Sequence, residues 1–117
     1  MKTILIVEDT ELNVDLLTQL LEDDYNLVVA KDGPQGVAAA NESKPDLILM
    51  DITLPIMDGY ESTRKIRETL KSTPIIGLSA HAMNEHAARA IEAGCNDYLT
   101  KPIDVDDLFK MLEKYLS

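Results

Sequence analysis

Hydrophobic residues fall into five short apolar runs, each followed by a stretch in which they recur at helical spacing. The runs Thr3–Val7, Asn26–Ala30, Asp46–Met50, Ile75–Ser79 and Asp97–Leu99 predict strands. After the first run, Leu12, Leu16, Leu17, Leu20 and Leu21 predict a helix with one apolar stripe, and Thr10 stands where an N-cap belongs. Asp32-Gly33-Pro34 reads as a turn opening an alanine-rich helix that runs to about Ser43. Lys44-Pro45 breaks the chain before the third strand. A third helix starts near Asp58-Gly59 and carries Tyr60, Thr63, Ile66, Arg67 and Leu70. A fourth spans about Asn84–Ala93 and stops at Gly94. Asp104 caps a fifth, whose stripe is Val105, Leu108, Met111, Leu112 and Tyr115.

Strands apolar on both faces that alternate with helices imply an α/β, doubly wound parallel sheet covered on both sides. In such sheets ligands sit beyond the carboxyl ends of the strands, where the strand order reverses. Glu8, Asp9, Asp51, Ser79 and Lys101 all follow strands. Neighbouring first and third strands would crowd Glu8, Asp9 and Asp51 together. Three such carboxylates repel one another unless a cation joins them or some stay protonated. A hard divalent metal with oxygen ligands answers that need.

Composition narrows the partners. The 117 residues suit a single domain, residues 1–117. A formal net charge of −10 argues against nucleic acid and against anionic membranes. The lone Cys95 excludes an intrachain disulfide and reads as a small core residue. The start carries no signal-peptide pattern and no run reaches membrane-spanning length, so a cytoplasmic protein is expected.

Five pieces in order carry a resemblance: Ile4-Leu5-Ile6-Val7-Glu8-Asp9, Pro45-Asp46-Leu47-Ile48-Leu49-Met50-Asp51, Leu54-Pro55-Ile56-Met57-Asp58-Gly59, Leu78-Ser79-Ala80 and Tyr98-Leu99-Thr100-Lys101-Pro102. With them the chain resembles a response regulator receiver domain of the CheY-like superfamily over nearly its whole length. Glu8 to Asn13 is also similar to stand-alone cell-cycle regulators of the DivK type, a stretch that receivers fused to hybrid kinases share. The resemblance implies a flavodoxin-like (βα)5 fold with strand order 2-1-3-4-5.

It further implies Mg²⁺-dependent, reversible phosphorylation of Asp51 by a sensor histidine kinase or a histidine phosphotransfer protein. The metal, for which Mn²⁺ can substitute, would be held by Asp9, Asp51, the backbone carbonyl of Thr53 and, through water, Glu8. Lys101 would pair with Asp51 and then with a phosphoryl oxygen, and the Lys101-Pro102 bond would be cis. Ser79 and Tyr98 match the switch pair, whose movement alters a face made of the fourth helix, fifth strand and fifth helix. Thr53 and His81 match positions that tune dephosphorylation. His86 reads as a surface residue. Leu12, Asn13 and Leu16 are candidates for contact with a kinase helical bundle; Met83, Phe109 and Tyr115 are candidates for the output face, whose downstream protein target the sequence does not name. Such a protein is no enzyme beyond assisting its own phosphotransfer and dephosphorylation.

Rival readings are a phosphorelay intermediate, a phosphorylation-independent adaptor, a flavin carrier and a phosphohydrolase. The acidic loop Glu8-Asp9-Thr10-Glu11 repels a flavin phosphate, and the chain has little room for a substrate cap.

Overall fold

A computed structural model describes residues 1–54, 56–79 and 84–116, with residues 84–86 described by their backbone alone. His81 and Met83, and the side chain of His86, lie outside the described residues. The elements run β1 (Thr3–Val7), α1 (Glu11–Leu21), β2 (Asn26–Ala30), α2 (Gly33–Ser43), β3 (Leu47–Asp51), α3 (Gly59–Arg67), β4 (Ile75–Ser79), α4 (Asn84–Ala93), β5 (Asp97–Thr100) and α5 (Val105–Leu116). All strand pairs are parallel, in the order β2-β1-β3-β4-β5. Among the described residues no helix is long and apolar enough to cross a membrane.

Strand alternation divides the core into two layers. Leu5, Val7, Ile48, Met50 and Ile75 point to one face, where Ala40 of α2, Tyr60 and Ile66 of α3, and Ala90 of α4 cover them. Ile4, Ile6, Leu47, Leu49, Ile76 and Leu78 point to the other, under Leu17 and Leu21 of α1 and Leu108, Leu112 and Leu116 of α5. The central strands are therefore buried on both sides. The edge strand β2 is not: Asn26 and Val29 are exposed, so the expectation of two-faced burial fails there.

Helix starts follow their caps. Asp32 accepts a hydrogen bond from the Gln35 N–H (2.8 Å), Asp58 from Glu61 (2.9 Å) and Asp104 from Asp107 (3.1 Å). Thr10 occupies the N-cap position of α1 but makes no side-chain capping bond. Gly94 ends α4 at φ +122°, a conformation that favours glycine.

Two predicted stripes are corrected. Leu12 and Leu16 are 76% and 45% exposed, while Val14, Leu17 and Leu21 are buried. At about 100° per residue, the pair at i and i+4 projects nearly opposite the buried trio. In α5, Val105 is exposed and Leu116 completes the stripe. The third strand also begins and ends one residue later than its apolar run suggested, because Asp51 still pairs with Leu78.

Candidate functional site

The sheet register brings four strand ends to one edge. Glu8 extends β1 by donating its N–H to the Ala30 carbonyl (3.0 Å), and Asp51 closes β3. Ser79, buried, closes β4, and its carbonyl accepts the Lys101 N–H (2.7 Å) from the chain leaving β5. The Lys101-Pro102 bond is cis. Glu8, Asp51 and Ser79 are all buried polar residues, while Asp9 is exposed at the mouth.

One carboxylate oxygen from each of Glu8, Asp9 and Asp51 lies within 4.8 Å of the other two. Lys101 Nζ reaches into this group, 2.8 Å from Glu8 Oε2 and 3.3 Å from Asp51 Oδ2. The lysine thus divides its charge between two acids and sits closer to Glu8 than to Asp51. The other Glu8 oxygen, Oε1, accepts from the Thr10 N–H and from Asn13 Nδ2, each at 3.3 Å. Asp51 Oδ1 accepts the Thr53 N–H at 3.0 Å.

Burial is the chief reason the Asp51 carboxyl is pushed up from 3.8 to about 7, and the neighbouring Glu8 charge adds to it. The Thr53 N–H and Lys101 oppose the rise without cancelling it. For Lys101, burial pulls its pKa down, but the Glu8 hydrogen bond and the Asp51 charge outweigh that, so the net shift is upward.

These observations fit a divalent cation. Counted as ionised, the three carboxylates exceed the one lysine by two charges, and all their donors are hard oxygens. Asp51 resists ionising without further positive charge. Glu8, Asp9 and Asp51 are the side chains that could hold such a cation. Both Glu8 oxygens already accept from protein donors, which suits an indirect role better than a direct one.

Glycine makes the loop after β3 possible. A Cβ at Gly59 would collide with the Asp51 carbonyl oxygen and lie 2.6 Å from Ile52 Cα. Its N–H instead bonds the Ile52 carbonyl (2.9 Å), drawing the start of α3 against the end of β3.

Tyr98, half-buried, packs on Gly77 beside Ile52 and Cys95. It also lines a surface cavity of about 600 Å³ with Met111 and Lys114 of α5 and Ala87 of α4. Phe109 of α5 is partly exposed, and the Tyr115 hydroxyl lies within hydrogen-bond distance of both the Asn96 carbonyl and Asp97. Leu12 and Leu16 stand exposed on α1, with Asn13 between them tied to Glu8. Cys95 is buried, as its type suggested.

Sequence reasoning missed Arg89. Its guanidinium lies 4.3 Å from the Tyr60 ring centroid and borders the cavity that Thr53 and Ser79 share. No periodicity or motif signals that contact, which depends on how α3 and α4 pack.

Comparison with known proteins follows the same outline. Residues 4–113 match the family model described as the response regulator receiver domain. The chain is 37% identical over 119 residues to the polar-differentiation response regulator DivK of Brucella anthropi, covering 99% of this chain and 97% of that one. It is 40% identical over 118 residues to hybrid signal transduction histidine kinase G of Dictyostelium discoideum, covering 96% of this chain but only 3% of that much longer protein. Among solved structures, the receiver domain of sensor histidine kinase PA1611 from Pseudomonas aeruginosa, with a magnesium ion coordinated in its active site cleft, superposes at TM-score 0.90. That pair is 38% identical and covers 97% and 96% of the two chains. The receiver domain of Saccharomyces cerevisiae Ssk1, co-crystallised with the histidine phosphotransfer protein Ypd1, superposes at 0.92 with 31% identity, covering 97% and 88%.

Proposed function

The chain belongs to the response regulator receiver domain family, a signalling module of two-component systems, and we propose that Asp51 is the carboxylate through which it is phosphorylated. The observation that carries this reading is the Asp51 carboxylate itself. It is buried at a strand end, fixed through one oxygen by the Thr53 N–H and through the other by Lys101, and flanked by two further acids.

Those contacts orient the nucleophile. An Asp51 oxygen attacks the phosphorus of a phosphohistidine; the new P–O bond forms as the P–N bond breaks, and the imidazole leaves with the electron pair. Mg²⁺, when bound, neutralises the acids, keeps Asp51 ionised and polarises the phosphoryl oxygens. Asp9 and Asp51 would hold it directly, with Glu8 acting through water and Thr53 through its carbonyl; Mn²⁺ would substitute. Lys101 moves from sharing Glu8 and Asp51 to pairing with a phosphoryl oxygen, as a flexible ammonium can. The Ser79 hydroxyl, at the end of the adjacent strand, donates to another.

The donor in this reading is a histidine kinase or a histidine phosphotransfer protein. The partner co-crystallised with the Ssk1 receiver and the kinase origin of the PA1611 receiver support it. The signal leaves through a protein target that reads the face of α4, β5 and α5, where Tyr98 borders the large cavity. A two-state face suffices if the target distinguishes the states.

Borohydride reduction of the phosphorylated chain followed by peptide mass mapping tests the assignment. Acyl phosphate at Asp51 is reduced to an alcohol there; reduction at any other residue refutes it.

A further inference from the structure

Arg89 has no part in the phosphotransfer chemistry, yet it lines a cavity that two residues of that site share. Its guanidinium stacks on Tyr60, which is only 5% exposed and so offers a fixed platform. Arg89 and Tyr60 form one side of a cavity of about 240 Å³ that Thr53 and Ser79 also line. Thr53, whose N–H bonds Asp51 Oδ1, and Ser79, which ends the neighbouring strand, are common to this cavity and the proposed phosphorylation site. An arginine suits such a place: it is always charged, weakly hydrated and planar, and it stacks on aromatic faces.

Charge points the same way. Phosphorylation replaces a carboxylate carrying one negative charge with a phosphoryl group carrying about −2. Lys101 already serves both Glu8 and Asp51. Among the described residues no carboxylate forms an ion pair with Arg89. Asp58, the acid on the same cavity, gives one oxygen to capping α3 through the Glu61 N–H.

We propose that Arg89 is a second cation for the phosphorylated site, positioned by the Tyr60 ring so that its charge acts on the phosphoryl group across the cavity lined by Thr53 and Ser79. This deepens the Asp51 reading and rests on it. Arg89 acts by charge, and Tyr60 acts through Arg89.

Beryllofluoride, which mimics a phosphoryl group on a carboxylate, is the probe. It is titrated in excess Mg²⁺ into the full chain and followed by NMR, at low and high salt. Arg89→Gln is expected to weaken uptake about 3–10-fold, the effect of one unit charge through a half-solvated cavity, and to flatten the salt dependence. Arg89→Lys should recover part of the loss. Tyr60→Phe should bind as the wild type does. Tyr60→Leu should lose as much as Arg89→Gln, and the double variant no more than either alone. Wild-type affinity and salt dependence in Arg89→Gln overturn the proposal, as does an Arg89→Lys that fares no better than Arg89→Gln. Wild-type protein that takes up no beryllofluoride sinks the Asp51 reading itself, and Arg89 with it.

Discussion

Replacing Asp51 with asparagine should stabilise the metal-free protein, and by an amount that grows with pH. Folding buries the Asp51 carboxyl beside Glu8 and raises its pKa from 3.8 to about 7. Below about pH 4 the group is protonated in both folded and unfolded chains and costs nothing. As pH rises the unfolded chain ionises first, so the folded state of the wild type loses stability until pH passes about 7. Three units at about 1.4 kcal/mol each set a ceiling of about 4 kcal/mol. The value of about 7 already includes the favourable 3.3 Å pairing with Lys101, and asparagine keeps an oxygen to accept the Thr53 N–H, so a pH-dependent gain of about 2–4 kcal/mol is expected. Urea unfolding of both proteins in EDTA, from pH 4 to 8.5, measures the difference. It should be small at pH 4, climb through pH 5 to 7 and level off above. A difference that does not vary with pH, or an asparagine variant less stable at pH 8, refutes the electrostatic reasoning.

Leu17→Ala empties a fully buried site and should cost about 2–5 kcal/mol in urea unfolding, whereas Leu12→Ala, at an exposed position, should stay within about 0.5; equal losses would mean that α1 docks by another face. Gly59→Ala forces a Cβ against the backbone of Asp51 and Ile52 and should cost about 1–3 kcal/mol while lowering the yield of phosphorylation; wild-type stability would contradict the close approach. Mg²⁺ at a hundredfold excess over its Kd should add about 2.7 kcal/mol to the wild type, and much less to Asp9→Asn; an equal gain in both removes Asp9 from the donor set.

The sheet was legible because a parallel sheet buries its central strands on both faces, which leaves unbroken apolar runs such as Ile4–Val7. The strand-end acids were legible for a related reason: Glu8 and Asp51 interrupt those runs where burial continues. Helix faces were less so. Five leucines in α1 look like one stripe, but Leu12 and Leu16 lie opposite Val14, Leu17 and Leu21, and leucine content alone does not say which face meets the sheet. The division of Lys101 between Glu8 and Asp51 was also out of reach, because it depends on side-chain torsions within a shared pocket. The Tyr60–Arg89 stack joins helices far apart in sequence, and only their packing reveals it.

The proposed function stands or falls with Asp51 as the phosphoryl acceptor. Intact mass spectrometry after incubation with acetyl phosphate and Mg²⁺ tests it most directly. A gain of one phosphoryl group is expected, lost when EDTA replaces the metal and absent in Asp51→Asn. An equal gain in Asp51→Asn, or none in the wild type from acetyl phosphate or a cognate kinase, would contradict it.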